Sequence, residues 1–200
     1  MAGTVVPRRI AATALLIVGI GMATHAAERG AETVRLFANP RALPTFTART
    51  LDGKTVTSDQ WRGKVTLVNF WATWCGPCLT EIPDLVLLQA KYRDQLQILG
   101  ISADEGDLGE VKRFVAEHRM DFPVVILTPA LEKLFPEVSG LPTTIVVDRE
   151  GRVVQRHIGA LDPSTIELET RVLAGLAPGV TIERVAAPRS PTRAHVRIVR

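Results

Sequence analysis

The chain has 200 residues, 46% of them hydrophobic, with 24 Lys and Arg against 21 Asp and Glu and a net charge of +3. That length suits one respectable core with short appendages. The positive balance sits at the ends: residues 1–27 hold Arg8 and Arg9 and no acid, residues 178–200 hold five arginines and one glutamate, and residues 28–177 keep 17 bases against 20 acids. A mildly acidic middle argues against a basic nucleic-acid-binding body.

Residues 1–27 follow the plan of an export signal: two arginines, an apolar run of 14 residues from Ile10 to Ala23, then Thr24-His25-Ala26-Ala27. The run falls short of the roughly 20 residues of a spanning helix, which favours a cleaved signal peptide. An uncleaved anchor over residues 5–27, with membrane association, is the second reading, provided Arg8 and Arg9 snorkel to the interface.

A loop-like stretch follows to about Pro44. "FTARTLDGKTVTSDQWRGK" then offers two short alternating runs around Asp52-Gly53, a dipeptide suited to tight hairpin turns. Val65 to Trp71 is apolar on both parities, as in a central strand covered on both faces. From Pro77 to about Gln95 the spacing of Ile82, Leu85, Val86, Leu88 and Tyr92 predicts a helix. "LQILGISAD" reads as a buried strand, "LGEVKRFVAEHRM" as an amphipathic helix, "FPVVIL" as a short strand and "ALEKLFPEV" as a short helix. "GLPTTIVVDREGRVVQRHIGAL" gives a second hairpin around Arg149-Glu150-Gly151, and Asp162-Pro163 starts a last helix to about Leu176. This alternation implies an α/β sandwich with one mixed sheet. Residues 178–200, with three prolines and five arginines and no clear period, read as a basic flexible tail, with "AHVRIVR" able to form an edge strand.

The chain's two cysteines lie three apart in "WATWCGPCLTEIP". As a structural staple the pair is weak, because so short a loop removes little unfolded-state entropy. A metal site lacks ligands: zinc needs about four, and His25, His118, His157 and His195 all lie away from the motif. Haem attachment requires histidine after the second cysteine, where Leu79 stands. No cofactor is required by these residues. A redox pair remains. If a helix begins at the first cysteine, its free N–H groups and positive dipole end stabilise a Cys75 thiolate, the attacking sulfur. Cys78, one turn deeper on the same face, is the resolving thiol. Pro77 is tolerated in the first turn and Gly76 leaves room for another chain; Trp71 and Trp74 are each compatible with ordinary core, with Trp74, directly before an exposed thiol, placed to flank the contact surface.

"FWATWCGPC" with "GLPTT" some 60 positions later resembles the thioredoxin superfamily. "WCGPCLTEIP" with the leader, the front hairpin and "GISADE" looks more narrowly like the TlpA/ResA-like thiol-disulfide oxidoreductases, over about residues 40–176. The resemblance implies a thioredoxin-like fold: a central mixed β-sheet flanked by helices, with an N-terminal β-hairpin, in a domain spanning 40–177. It makes Pro142 a cis-proline beside the cysteines, with Leu141, Pro142 and Thr143 in the substrate-binding loop. It makes Glu81 a catalytic carboxylate handling the proton of Cys78, whereas spacing alone leaves Glu81 equally a solvated helix residue. Asn69 stands where thioredoxins often carry a buried aspartate, and it cannot take up a proton. Pro83 matches a proline that bends the active-site helix. The implied role is an exported reductant of protein disulfides, cytochrome c haem-site cysteines among them, fed by a membrane thiol-electron donor of the DsbD/CcdA type. A disulfide oxidant or isomerase, a peroxidase and a non-catalytic binding module are the alternatives that share the scaffold.

Overall fold

A computed structural model describes residues 32–188, leaving the leader and the last arginines outside the described residues. The chain runs through β1 (Thr33–Phe37), β2 (Arg41–Ala42), β3 (Thr47–Arg49), β4 (Thr55–Thr57), β5 (Val65–Trp71), α1 (Gly76–Lys91), β6 (Leu96–Ser102), α2 (Leu108–Glu117), β7 (Val124–Ile126), α3 (Pro129–Leu134), β8 (Thr143–Val147), β9 (Arg152–Ile158), α4 (Pro163–Leu173) and β10 (Thr181–Val185). Six strands form one mixed sheet in the order β2-β9-β8-β5-β6-β7. β5 lies parallel to β6 and antiparallel to β8, and all seven of its residues are buried. That burial explains its largely apolar run: α1 and α4 cover one face, and the β3–β4 side together with α3 covers the other, so both parities are drawn from water.

The alternation of side chains along β5 assigns each residue to a layer. Val65, Leu67 and Trp71 pack with Ile82, Leu85 and Leu88 of α1 and Ile166 of α4. Val68 and Phe70 pack with Phe46, Leu131 and Phe135 on the other side. Asn69 shares the parity of Leu67 and Trp71, which aims it at the helix layer rather than the hairpin layer.

The elements read from sequence are present with trimmed ends. α1 stops at Lys91 rather than near Gln95, and Tyr92 caps it through a 3.0 Å bond from its N–H to the Leu88 carbonyl. The helix runs through Pro83. α4 begins at the Asp162 cap, whose carboxylate accepts from the Thr165 N–H at 2.8 Å. It stops at Leu173 rather than Leu176, because Gly175 takes φ +76° and Leu176 N–H bonds back to the Arg171 carbonyl, a Schellman ending.

The larger correction concerns the ends of the domain. Residues 33–37, read as loop, form β1, and residues 181–185, read as part of a flexible tail, form β10; the two pair in parallel from Thr33↔Thr181 to Phe37↔Val185. The body therefore extends beyond 40–177 on both sides. The pairing joins segments 148 positions apart and is completed by Val34 and Leu36, which are buried. A five-residue segment gains strand structure from such a partner, and nothing local in "TIERV" announces one. The "AHVRIVR" segment lies outside the described residues, as do residues 1–27.

Candidate active site

The loop from β5 into α1 places the cysteine pair. Ala103 N–H bonds to the Trp71 carbonyl at 2.8 Å, and Asp104 accepts from the Thr73 hydroxyl at 2.5 Å and the Thr73 N–H at 3.1 Å. Asp104 also takes a 2.7 Å bond from Ser102, so the end of β6 clamps the loop preceding the motif. Cys75 is then the N-cap of α1, with φ −88° and ψ 97°, and its sulfur accepts from the Cys78 N–H at 3.3 Å. This is the geometry in which free first-turn N–H groups and the helix dipole favour a thiolate at Cys75. The two cysteines are joined by a disulfide with Cα atoms 5.3 Å apart.

Their exposures differ in the way the chemistry requires. Cys75 is 6% exposed and Cys78 fully buried, while Gly76 and Pro77 are exposed and Trp74 is 47% exposed. The surface beside Cys75 is therefore a rim formed by Trp74, Gly76 and Pro77. A Cβ placed on Gly76 would touch nothing within 4 Å, so the space in front of it is open. Trp71, by contrast, is fully buried, with its ring centroid 5.2 Å from that of Phe114 and the two planes tilted by 33°.

The Leu141–Pro142 peptide is cis. Leu141 packs, half-buried, against the cluster that contains both cysteines, whereas Pro142 and Thr143 are buried. Thr143 bonds through its hydroxyl to the Gly140 carbonyl at 2.8 Å, and the Pro142 carbonyl accepts from Gly159 at 2.9 Å. Of the loop residues expected to meet substrate, Leu141 thus presents surface, and Pro142 and Thr143 shape the loop from below.

Glu81 is 2% exposed, which rules out the solvated-carboxylate reading. One oxygen accepts from the Asn69 amide at 2.8 Å and the other from the Leu161 N–H at 2.8 Å. Burial pushes its pKa up; the Leu161 and Asn69 hydrogen bonds and the charge of His157 pull against that rise. The Asn69 amide also donates to the Thr144 hydroxyl at 2.9 Å. Asn69 cannot take a proton, but it orients the group that can. Three participants escaped sequence reading: Thr144, the Leu161 N–H and the pair His157–Glu169, whose Nε2 and Oε2 lie 2.8 Å apart. Asn69, Thr144 and His157 are register neighbours across β5, β8 and β9. Strand register is a tertiary outcome, so no local signal links them.

A dithiol–disulfide pair at the start of a helix that also carries a buried carboxylate, packed with the residue before a cis-proline on this sheet, defines a thioredoxin-like thiol-disulfide oxidoreductase. The chain belongs to the Redoxin family, whose model matches residues 38–171. It is 35% identical over 130 residues to the thiol-disulfide oxidoreductase ResA of Bacillus thuringiensis (strain Al Hakam), covering 64% of this chain and 73% of that protein. A thioredoxin-family thiol:disulfide interchange protein from Chlorobium tepidum TLS superposes with TM-score 0.65 at 33% identity, over 69% of this chain and 99% of that one. The exposed lipoprotein thioredoxin Etrx1 of Streptococcus pneumoniae strain TIGR4 matches with TM-score 0.57 at 26% identity, over 64% of this chain and 99% of that one.

Proposed function

We propose that the chain works outside the cytoplasm as a reductant of protein disulfides. The carrying observation is the asymmetry of the pair: a near-surface Cys75 at a helix N-terminus and a sealed Cys78 whose helix also carries the buried Glu81. The Cys75 thiolate attacks a substrate disulfide, forming a Cys75–substrate disulfide and expelling one substrate thiolate, which takes a proton. Cys78 gives its proton to Glu81 and attacks the Cys75 sulfur, releasing the second substrate thiolate and closing the intramolecular disulfide. Two electrons pass from the cysteine pair to the substrate; the Cys78 proton leaves Glu81 for the second substrate thiolate, and solvent supplies the proton taken by the first. Trp74, Gly76, Pro77 and Leu141 receive the substrate chain, with Pro142 and Thr143 holding the loop.

An export-type leader and the description of one relative as an exposed lipoprotein support an extracytoplasmic, periplasmic or surface setting. Oxidised exported proteins, including cytochrome c haem-site cysteines, fit as substrates, and a membrane thiol-electron donor of the DsbD/CcdA type fits as the source of reducing equivalents. The loop "GLPTT" lacks a glutamate after its proline, which puts a broad reductase role on an equal footing with a dedicated cytochrome-maturation role. The test is the equilibrium of the Cys75–Cys78 disulfide of the full chain in glutathione buffers. A potential well below the glutathione couple is expected, and a value at or above it overturns the direction in favour of an oxidant or isomerase.

A further inference from the structure

A buried acceptor on a protein disulfide exchanger meets a conflict. The desolvation that seals Glu81 from water also opposes its ionisation, and a protonated carboxyl accepts no proton. Two neutral donors, the Asn69 amide and the Leu161 N–H, meet its oxygens. Neither carries a charge.

The next rung of the sheet holds a group that does. His157 stands opposite Thr144 on β9, and Thr144 is bonded to the same Asn69 amide that holds Glu81. The far side of the imidazole is fixed: its Nε2 lies 2.8 Å from an oxygen of Glu169, a carboxylate whose side chain is only 4% exposed. That carboxylate is placed to accept a hydrogen bond from the ring N–H and so holds the imidazole in one orientation. The His157 side chain is 23% exposed and opens onto a cleft of about 470 Å³, lined also by Arg35, Gln155, Thr165, Glu169 and Glu183, so it exchanges protons with water while Glu81 does not. The charged groups facing this layer are few. From α4 comes Glu169; from β1 and β10 come Arg35 and Glu183, which pair with each other at 2.9 Å and largely cancel; from α1 comes Glu81 itself; β5 and β8 contribute only the neutral Asn69 and Thr144.

We propose that His157, clamped by Glu169, is a positioning residue whose positive charge keeps Glu81 ionised under the cysteine pair, and so sets the pH range in which Cys78 can resolve a mixed disulfide. This rests on the reading of Glu81 as the proton acceptor of Cys78. In that reading Glu81 takes the proton of Cys78, and His157 acts through it. Because an imidazole titrates across neutrality where Lys or Arg does not, the support it lends is itself pH-dependent.

The test uses the reduced full-length chain mixed with the chromogenic aryl disulfide of thionitrobenzoate in stopped flow. Attack by Cys75 releases one coloured thiolate at a rate proportional to reagent concentration; ring closure by Cys78 releases a second at a rate independent of it. His157→Gln should slow the second step about three- to tenfold near pH 6, which corresponds to about 0.6–1.4 kcal/mol. The difference should disappear at high pH, once the wild-type imidazole has lost its proton, and the first step should be unchanged. Glu81→Gln should remove the carboxyl inflection from the second step, and adding His157→Gln to it should have no further effect. If Glu81→Gln slows the second step but His157→Gln follows the wild-type profile throughout, the role of His157 is refuted while that of Glu81 stands. If Glu81→Gln itself leaves the profile unchanged, the reading of Glu81 fails and takes this inference with it. A measurement on the unsubstituted oxidised chain is independent of any variant's folding: the Glu81 carboxyl carbon, followed by NMR, should show a second inflection at the pH where the His157 ring titrates. A single-step curve overturns the coupling.

Discussion

Replacing Asn69 by Asp places a second buried carboxylate against Glu81. The amide that now donates to Glu81 at 2.8 Å becomes an acceptor, so a hydrogen bond turns into a repulsion, while the Thr144 hydroxyl at 2.9 Å can rotate to donate instead. With charge centres about 4 Å apart and an effective dielectric constant of about 20, two ionised carboxylates repel by about 4 kcal/mol. The pair can escape by holding one shared proton. At pH 8, four units above an ordinary carboxyl, that proton costs about 5.4 kcal/mol, so the repulsion of about 4 is the cheaper state; at pH 5 it costs only about 1.4 kcal/mol. A carboxyl whose folded-state pKa is raised stabilises the fold fully below its unfolded pKa, and that contribution is lost as pH rises through the folded value. Glu81 in the unsubstituted chain is raised too, so its own stability also falls with rising pH, but less steeply. Asn69→Asp should therefore destabilise the oxidised chain about 2.5 kcal/mol more at pH 8 than at pH 5. Urea unfolding of both proteins at the two pH values reads this directly. Equal destabilisation at both, within about 0.5 kcal/mol, would refute the placement of Asn69 against an ionisable Glu81.

Gly100 lies where a Cβ would come within 3.0 Å of Trp71 Nε1 and 3.3 Å of Val124, so Gly100→Ala should overpack the layer beneath the motif and cost about 1–3 kcal/mol in urea unfolding; a cost under about 0.5 kcal/mol would mean the layer yields freely. Trp74→Ala, at a 47% exposed position, should alter stability by no more than about 0.5 kcal/mol. It should still raise the KM for a protein disulfide about fivefold while leaving a small aryl disulfide nearly unaffected, and equal effects on both would remove Trp74 from the docking rim. Ending the chain at Ala177 takes away β10, the strand with which β1 pairs, and loosens the cover over Val34 and Leu36. Such a chain should lose at least about 1 kcal/mol of stability in urea yet keep the disulfide potential of the full chain, and an unchanged unfolding midpoint would show β10 to be dispensable.

Elements whose causes are local are legible in the amino-acid order. The apolar parity of Val65–Trp71, the helical spacing from Ile82 to Leu88, the Asp162-Pro163 start and the turns at Asp52-Gly53 and Arg149-Glu150-Gly151 each act within one or two turns of chain, and each is present in the fold. The cysteine pair was equally legible, because the order strand, cysteine, two residues, cysteine, helix carries its own electrostatics. The Leu141–Pro142 geometry and the weight given to Glu81 came from family resemblance, since neither a cis bond nor a buried carboxylate is written in spacing. Tertiary structure alone decided the rest. The pairing of β1 with β10 joins the two ends of the domain, and the rung from Asn69 through Thr144 to His157 exists only because β5, β8 and β9 adopt one register among several the same alternation would allow. A hydrogen bond between side chains 75 positions apart has no local cause, so the polar layer that governs Glu81 appears only when the sheet is assembled.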